Sequence, residues 1–154
     1  MPPNAGLPST SILFIDTNKD DRTYFTEGLK RRSPDYRILE APDGGSGLEL
    51  YRSERVDCVV LAIELSDCSG FRVLVDLVPI ASRPNVAVLM LTKNTQRRLH
   101  QLALQNGAYD CFVKSFTTVD DLERAIQRAM SACRRGPAVR EDRESDVSDM
   151  PRWC

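Results

Sequence analysis

An α/β fold built on a five-stranded parallel sheet with helices on both sides is what this sequence predicts. Three observations carry the prediction. The hydrophobic period switches repeatedly between two and about 3.6 residues. Two of the strand-length runs, Cys58–Ile63 and Val86–Leu91, are apolar on both faces, as strands buried between helices must be. The chain has 154 residues, of which 42% are hydrophobic and 28% charged, the balance of one globular domain.

Each element is legible in order. Ser11–Ile15 is a β-branched, apolar first strand. Asp20–Arg32 has helical period and places Tyr24, Phe25, Gly28 and Leu29 on one face. Its acidic start and its Lys30-Arg31-Arg32 end match the helix dipole. Tyr36–Glu40 is the second strand, and Asp43–Ser53 a helix carrying Leu48, Leu50 and Tyr51 behind a first turn weakened by Gly44, Gly45 and Gly47. Cys58–Ile63 is the third strand; Ser69–Val78 is an almost continuously apolar helix that stops before Pro79. Val86–Leu91 makes the fourth strand, and Thr95–Asn106 repeats Leu99, Leu102 and Ala103 before a C-capping Gly107. Cys111–Val113 is the fifth strand. Thr118–Arg134 closes the pattern, opened by Thr118, Asp120 and Asp121 and striped with Leu122, Ala125, Ile126, Ala129 and Met130.

Alternating strands and helices joined by right-handed crossovers give a flavodoxin-like, doubly wound sheet, order 2-1-3-4-5, over residues 11–134. Residues 1–10 read as an N-terminal extension. Residues 135–154, with mixed charges from Arg140 to Asp146 and Trp153 as the one aromatic, read as a flexible tail.

Composition excludes several classes. Lys plus Arg come to 21 against 22 Asp plus Glu, a formal net charge of −1, so the basic field that nucleic-acid or membrane-surface binding needs is missing. No apolar run approaches the roughly 18 residues of a membrane span, and Met1–Gly6 lacks the features of a signal peptide. The expected location is cytoplasmic. The five cysteines show no C-x-x-C spacing and lie far from His100, which argues for reduced thiols rather than zinc. Cys58 and Cys111 read as small core hydrophobes, and His100 as a solvated helix residue.

In this topology a site belongs at the carboxyl ends of the strands. Strand one ends in Asp16-Thr17-Asn18-Lys19-Asp20-Asp21, strand three in Ala62-Ile63-Glu64, strand four in Leu91-Thr92-Lys93 and strand five in Val113-Lys114-Ser115. Carboxylate, hydroxyl and ammonium around one crevice suit a phosphoryl group and a hard cation.

These stretches resemble the receiver domain of two-component response regulators over about residues 11–134. Ile12–Asp16 with Asp20-Asp21-Arg22 is similar to the family's first strand and acidic turn, and Asp57–Gly70 to its third strand and loop. Thr92 and Lys114 match its switch hydroxyl and strand-end lysine, and Gly107-Ala108 a pair usual in the family. The resemblance implies a non-enzymatic signalling module that takes phosphate from a histidine kinase.

The sequence departs from that pattern where the chemistry lies. The phosphoacceptor position is Ala62, and a methyl group cannot be phosphorylated. Thr17 replaces the second acid after strand one, Ser66 and Ser115 replace two prolines, Cys111 the aromatic switch residue, and Lys93 a small residue. A carboxylate about 4 Å from a cation contributes on the order of 4 kcal/mol at an effective dielectric near 20, so losing two leaves no cofactor, or a weakly bound Mg²⁺ on Asp16 and Glu64. Lys114 must then pair with Asp16, Glu64 or solvent. The remnant phosphate and switch site is Asp16, Thr92 and Lys114.

The expected function is therefore a receiver that acts by binding another signalling protein. Natural divergence and a deliberate Asp-to-Ala replacement in a working receiver both stay open as origins of Ala62. A flavodoxin-type electron carrier is disfavoured because Asp16, Asp20 and Asp21 would repel a flavin phosphate, and a carboxylate-nucleophile phosphatase because Asn18 stands where its second acid is needed. Asp67 lies in a loop beyond the site and reads as a loop acid, not a substitute acceptor. No helix-turn-helix follows residue 134, so output is expected through a partner. The resemblance implies an interface over Thr95–Arg134, where Arg97, Arg98, Asp120, Asp121, Arg124 and Arg128 supply both charge signs for a twofold homodimer.

Overall fold

A computed structural model of the chain describes residues 9–135. The expected extension and tail at residues 1–10 and 135–154, Trp153 included, fall almost wholly outside the described residues. The elements run β1 (Ser11–Ile15), α1 (Lys19–Arg32), β2 (Arg37–Ala41), α2 (Gly44–Ser53), β3 (Cys58–Ala62), α3 (Gly70–Leu77), β4 (Ala87–Thr92), α4 (Arg97–Gln105), β5 (Asp110–Val113) and α5 (Val119–Arg135). A short 3₁₀ turn, Lys114–Phe116, joins β5 to the loop before α5. All strands are parallel in the order β2-β1-β3-β4-β5, as expected.

Every residue of β1, β3 and β4 is buried, which explains why these runs are apolar on both faces. Alternate side chains feed two cores. Ile12, Phe14, Val60, Leu89 and Leu91 pack with Phe25 and Leu29 of α1 and Leu122, Ala125, Ile126 and Ala129 of α5. Leu13, Ile15, Val59, Leu61 and Met90 pack with α3 through Val73, Leu74 and Leu77, with Ala103 of α4, and with Leu48 of α2. Cys58 and Cys111 are buried in these cores as small hydrophobes.

Side chains before the helices set four of the starts. Asn18, Asp43 and Ser69 accept from Asp21 N, Ser46 N and Phe71 N. Thr118 and Asp121 exchange reciprocal bonds, Asp121 N to Thr118 Oγ1 at 3.0 Å and Thr118 N to Asp121 Oδ2 at 3.1 Å. Gly107, at φ +104°, closes α4 as the cap position requires.

Four expectations need correction. Strand β2 lies one residue further on than Tyr36–Glu40, because Arg37 pairs with Ser11 and Ala41 with Ile15. Helix α4 starts at Arg97 and not Thr95: the carboxamide of Asn94 accepts from Gln96 N at 2.9 Å and holds that segment as a turn. Tyr24 is 56% exposed and meets Phe25 edge-on, and Leu102 is 38% exposed, so the buried stripes of α1 and α4 are narrower than their periodicity implies. His100 is not simply solvated: its Nδ1 lies 3.1 Å from Cys111 O.

Candidate functional site at the strand ends

The crevice begins where β1, β3, β4 and β5 end. One residue past the register pair Ile15–Leu61 stand Asp16 and Ala62, both buried. Thr92 closes β4, and Lys114 follows β5. The sequence-predicted set Asp16, Thr92 and Lys114 thus surrounds the end of β3.

Lys114 holds two carboxylates. Its Nζ lies 2.8 Å from Asp16 Oδ2 and 2.9 Å from Asp21 Oδ2. The first contact is an ion pair without aligned hydrogen-bond geometry; the other Asp16 oxygen accepts from Asn18 N at 2.9 Å. Burial alone would lower the lysine's proton affinity, yet the two neighbouring carboxylates, Asp16 and Asp21, outweigh it and hold Lys114 above its ordinary range. Asp21 was not anticipated. The sequence places it in the acidic turn after strand one but does not single it out as a partner of Lys114, which lies 93 residues away.

Glu64 does not pair with Lys114. Its Oε2 accepts from Thr92 Oγ1 at 2.5 Å and its Oε1 from Lys93 N at 3.2 Å. The β3–α3 loop aims it there by folding back on the end of β3, through an antiparallel Glu64–Ser69 bridge and a 2.7 Å bond from Gly70 N to Ile63 O. Gly70 is needed for that approach: a Cβ would stand 2.2 Å from Ala62 O.

Two further residues tie the rim, and sequence reading assigned neither. Thr17 Oγ1 donates to Pro42 O at 2.6 Å and accepts from Ser66 N at 2.9 Å, so the residue replacing an acid links three loops. Asp67 accepts from Gly44 N and Gly45 N, both at 2.9 Å, capping α2 from outside its own helix. Those amides hold the Asp67 carboxyl below the usual carboxylate range.

On the face running from α4 to α5, Arg97 and Arg98 are exposed. Asp120 binds Arg32 and Arg124, and Asp121 serves the α5 cap. Arg124 and Arg128 line a shallow depression with Phe112, Phe116, Thr117 and Asp121.

Comparison with known proteins decides the family. The response regulator receiver domain model matches residues 12–127. The chain belongs to the response regulator receiver family. This receiver is 33% identical to Protein CcdB of Bacillus subtilis over 122 residues, 79% of the chain and 98% of that relative. It is 28% identical over 108 residues to a probable cyclic di-GMP phosphodiesterase of Vibrio cholerae, covering 70% of this chain and 24% of that longer protein. A CheY-like receiver domain from Methanospirillum hungatei superposes with a TM-score of 0.71 at 20% identity, over 82% of this chain and 98% of that one, a likeness of fold.

Receiver domains in general bind Mg²⁺ at this crevice. In this receiver Asp16 is neutralised by Lys114, Thr17 is uncharged and committed to Pro42 and Ser66, and Glu64 is engaged by Thr92 and Lys93. These three side chains are thus already engaged by partners within the protein. Among the described residues no group of three or more His, Cys, Asp or Glu is placed to hold a metal.

Proposed function

We propose that this receiver does not accept phosphate on β3 and acts in two-component signalling by binding a partner protein, without enzymatic activity. The observation that carries the reading is Ala62, 1% exposed at the last position of β3, where the family resemblance puts the phosphoacceptor. A methyl group offers no nucleophile. The engagement of Asp16, Thr17 and Glu64 by protein donors and acceptors supports weak or no Mg²⁺ binding by Asp16 and Glu64. Thr17 has its own role in tying the loops, which favours a diverged receiver over a single replacement at residue 62.

The partner in this reading is a histidine kinase or another signalling protein, and the docking face is Thr95–Arg134, used also for a homodimer. That face exposes Phe116 at 75%, Leu102 at 38% and Leu104 at 41% beside Arg97, Arg98, Arg124 and Arg128. No helix of the described residues is long and apolar enough to cross a membrane, and their four cysteines are free thiols, in keeping with a cytoplasmic protein.

Incubation with acetyl phosphate and Mg²⁺, read by intact mass, tests the reading. No phosphoryl addition is expected. A single stoichiometric addition overturns it.

A further inference from the structure

The β4–α4 turn is held by a relay of side chains that begins on a different strand. Glu64, anchored after β3, accepts hydrogen bonds from the Thr92 hydroxyl at 2.5 Å and from the Lys93 amide at 3.2 Å. The Thr92 oxygen, with its own proton committed to Glu64, accepts from Asn94 N at 3.0 Å. The Asn94 side chain then accepts from Gln96 N at 2.9 Å, immediately before α4. Gln96 makes no side-chain capping bond, so this relay is what organises the start of the helix.

The carboxylate is firmly placed. Thr92 is 2% exposed, and the backbone of Glu64 is pinned by its bridge to Ser69. Burial foremost, with the Asp110 and Glu64 charges adding to it, pushes the thiol of the small Cys111 on β5 up to about 11.

We propose that Glu64 is a built-in anionic latch, an internal carboxylate that occupies the Thr92 hydroxyl and the Lys93 amide and so keeps the β4–α4 turn and the first turn of α4 in one conformation without any covalent signal. The inference rests on the reading of this chain as a receiver that takes no phosphate, because a permanently filled hydroxyl–amide pair replaces a switchable one. A charged acceptor makes the stronger class of hydrogen bond, which suits a latch. The surface stabilised is the N-terminal part of the proposed docking face, from Arg97 onward.

Amide hydrogen exchange by NMR tests the latch in the full chain, comparing the parent with Glu64→Ala and with Glu64→Gln, which keeps the bulk and one acceptor oxygen. Exchange at Lys93 is expected to quicken by about tenfold or more in both variants. In Glu64→Ala the same increase is expected at Asn94, Gln96 and the first turn of α4, while the amides of β1 and β3 stay as protected as in the parent. A change confined to Lys93 reduces Glu64 to a local contact and overturns the latch. So does no change at all, or a uniform loss across the sheet. Mass measurement of the parent after acetyl phosphate treatment is kept separate: phosphoryl addition overturns the proposed function, whereas the exchange pattern alone decides whether Glu64 restrains the turn.

Discussion

Lys114 Nζ stands 2.8 Å from Asp16 Oδ2, joining the end of β5 to the end of β1 across the strands between them. The Asp16 side chain is wholly buried and that of Lys114 is 7% exposed, so each charge depends on the other. Removing the ammonium strands a buried carboxylate, and Lys114→Met is expected to cost about 3 kcal/mol in urea denaturation. Asp21→Asn is expected to cost under about 1 kcal/mol, because the Asp21 carboxylate is 34% exposed. The double variant Asp16→Asn with Lys114→Met should recover part of the loss. Equal costs for Lys114→Met and Asp21→Asn would show that the buried pair is not structural.

Asp67 makes stability depend on pH. Its carboxyl is held below the ordinary range by Gly44 N and Gly45 N. A depressed folded-state value contributes stability that is fully present above the ordinary value of about 3.9 and is lost as pH falls through the lowered one. Thermal melts should therefore show the parent above Asp67→Asn at neutral pH. The gap should close below about pH 4. A gap that persists undiminished in acid would mean that the charge on Asp67 does not cap α2.

Two glycines should respond in opposite directions. A Cβ at Gly45 meets Asp67 Oδ2 at 3.5 Å, an ordinary contact, and Gly45→Ala is expected to stabilise α2 by about 0.5–1 kcal/mol. A Cβ at Gly70 meets Ala62 O at 2.2 Å, so Gly70→Ala is expected to lose about 3 kcal/mol or more. Chemical denaturation of both variants checks the contrast.

Arg124 tests the proposed homodimer. It is exposed, among the described residues it is paired with Asp120 on its own helix, and it borders the depression with Phe116. Light scattering should give a dimer mass for the parent and about half that mass for Arg124→Glu. A monomeric parent, or a dimer indifferent to the substitution, would overturn this interface.

Periodicity and end signals in the chain carry most of the fold. The five strands, the five helices, their order in the sheet and the set Asp16, Thr92 and Lys114 at the strand ends are all legible, because burial on two faces and capping leave marks in local sequence. Local pattern also misled at the margins: Tyr24 and Leu102 fit an apolar stripe but lie outward, since the width of a buried stripe is set by the surface it packs on. The pairing of the charges, by contrast, emerges only in the folded chain. Lys114 takes Asp21 beside Asp16, Glu64 turns to Thr92 and Lys93, and Asp67 reaches the N-terminus of α2. Those partners sit on loops from different strands. Which donor a carboxylate meets there depends on loop course and side-chain reach, and neither has a period that sequence can show.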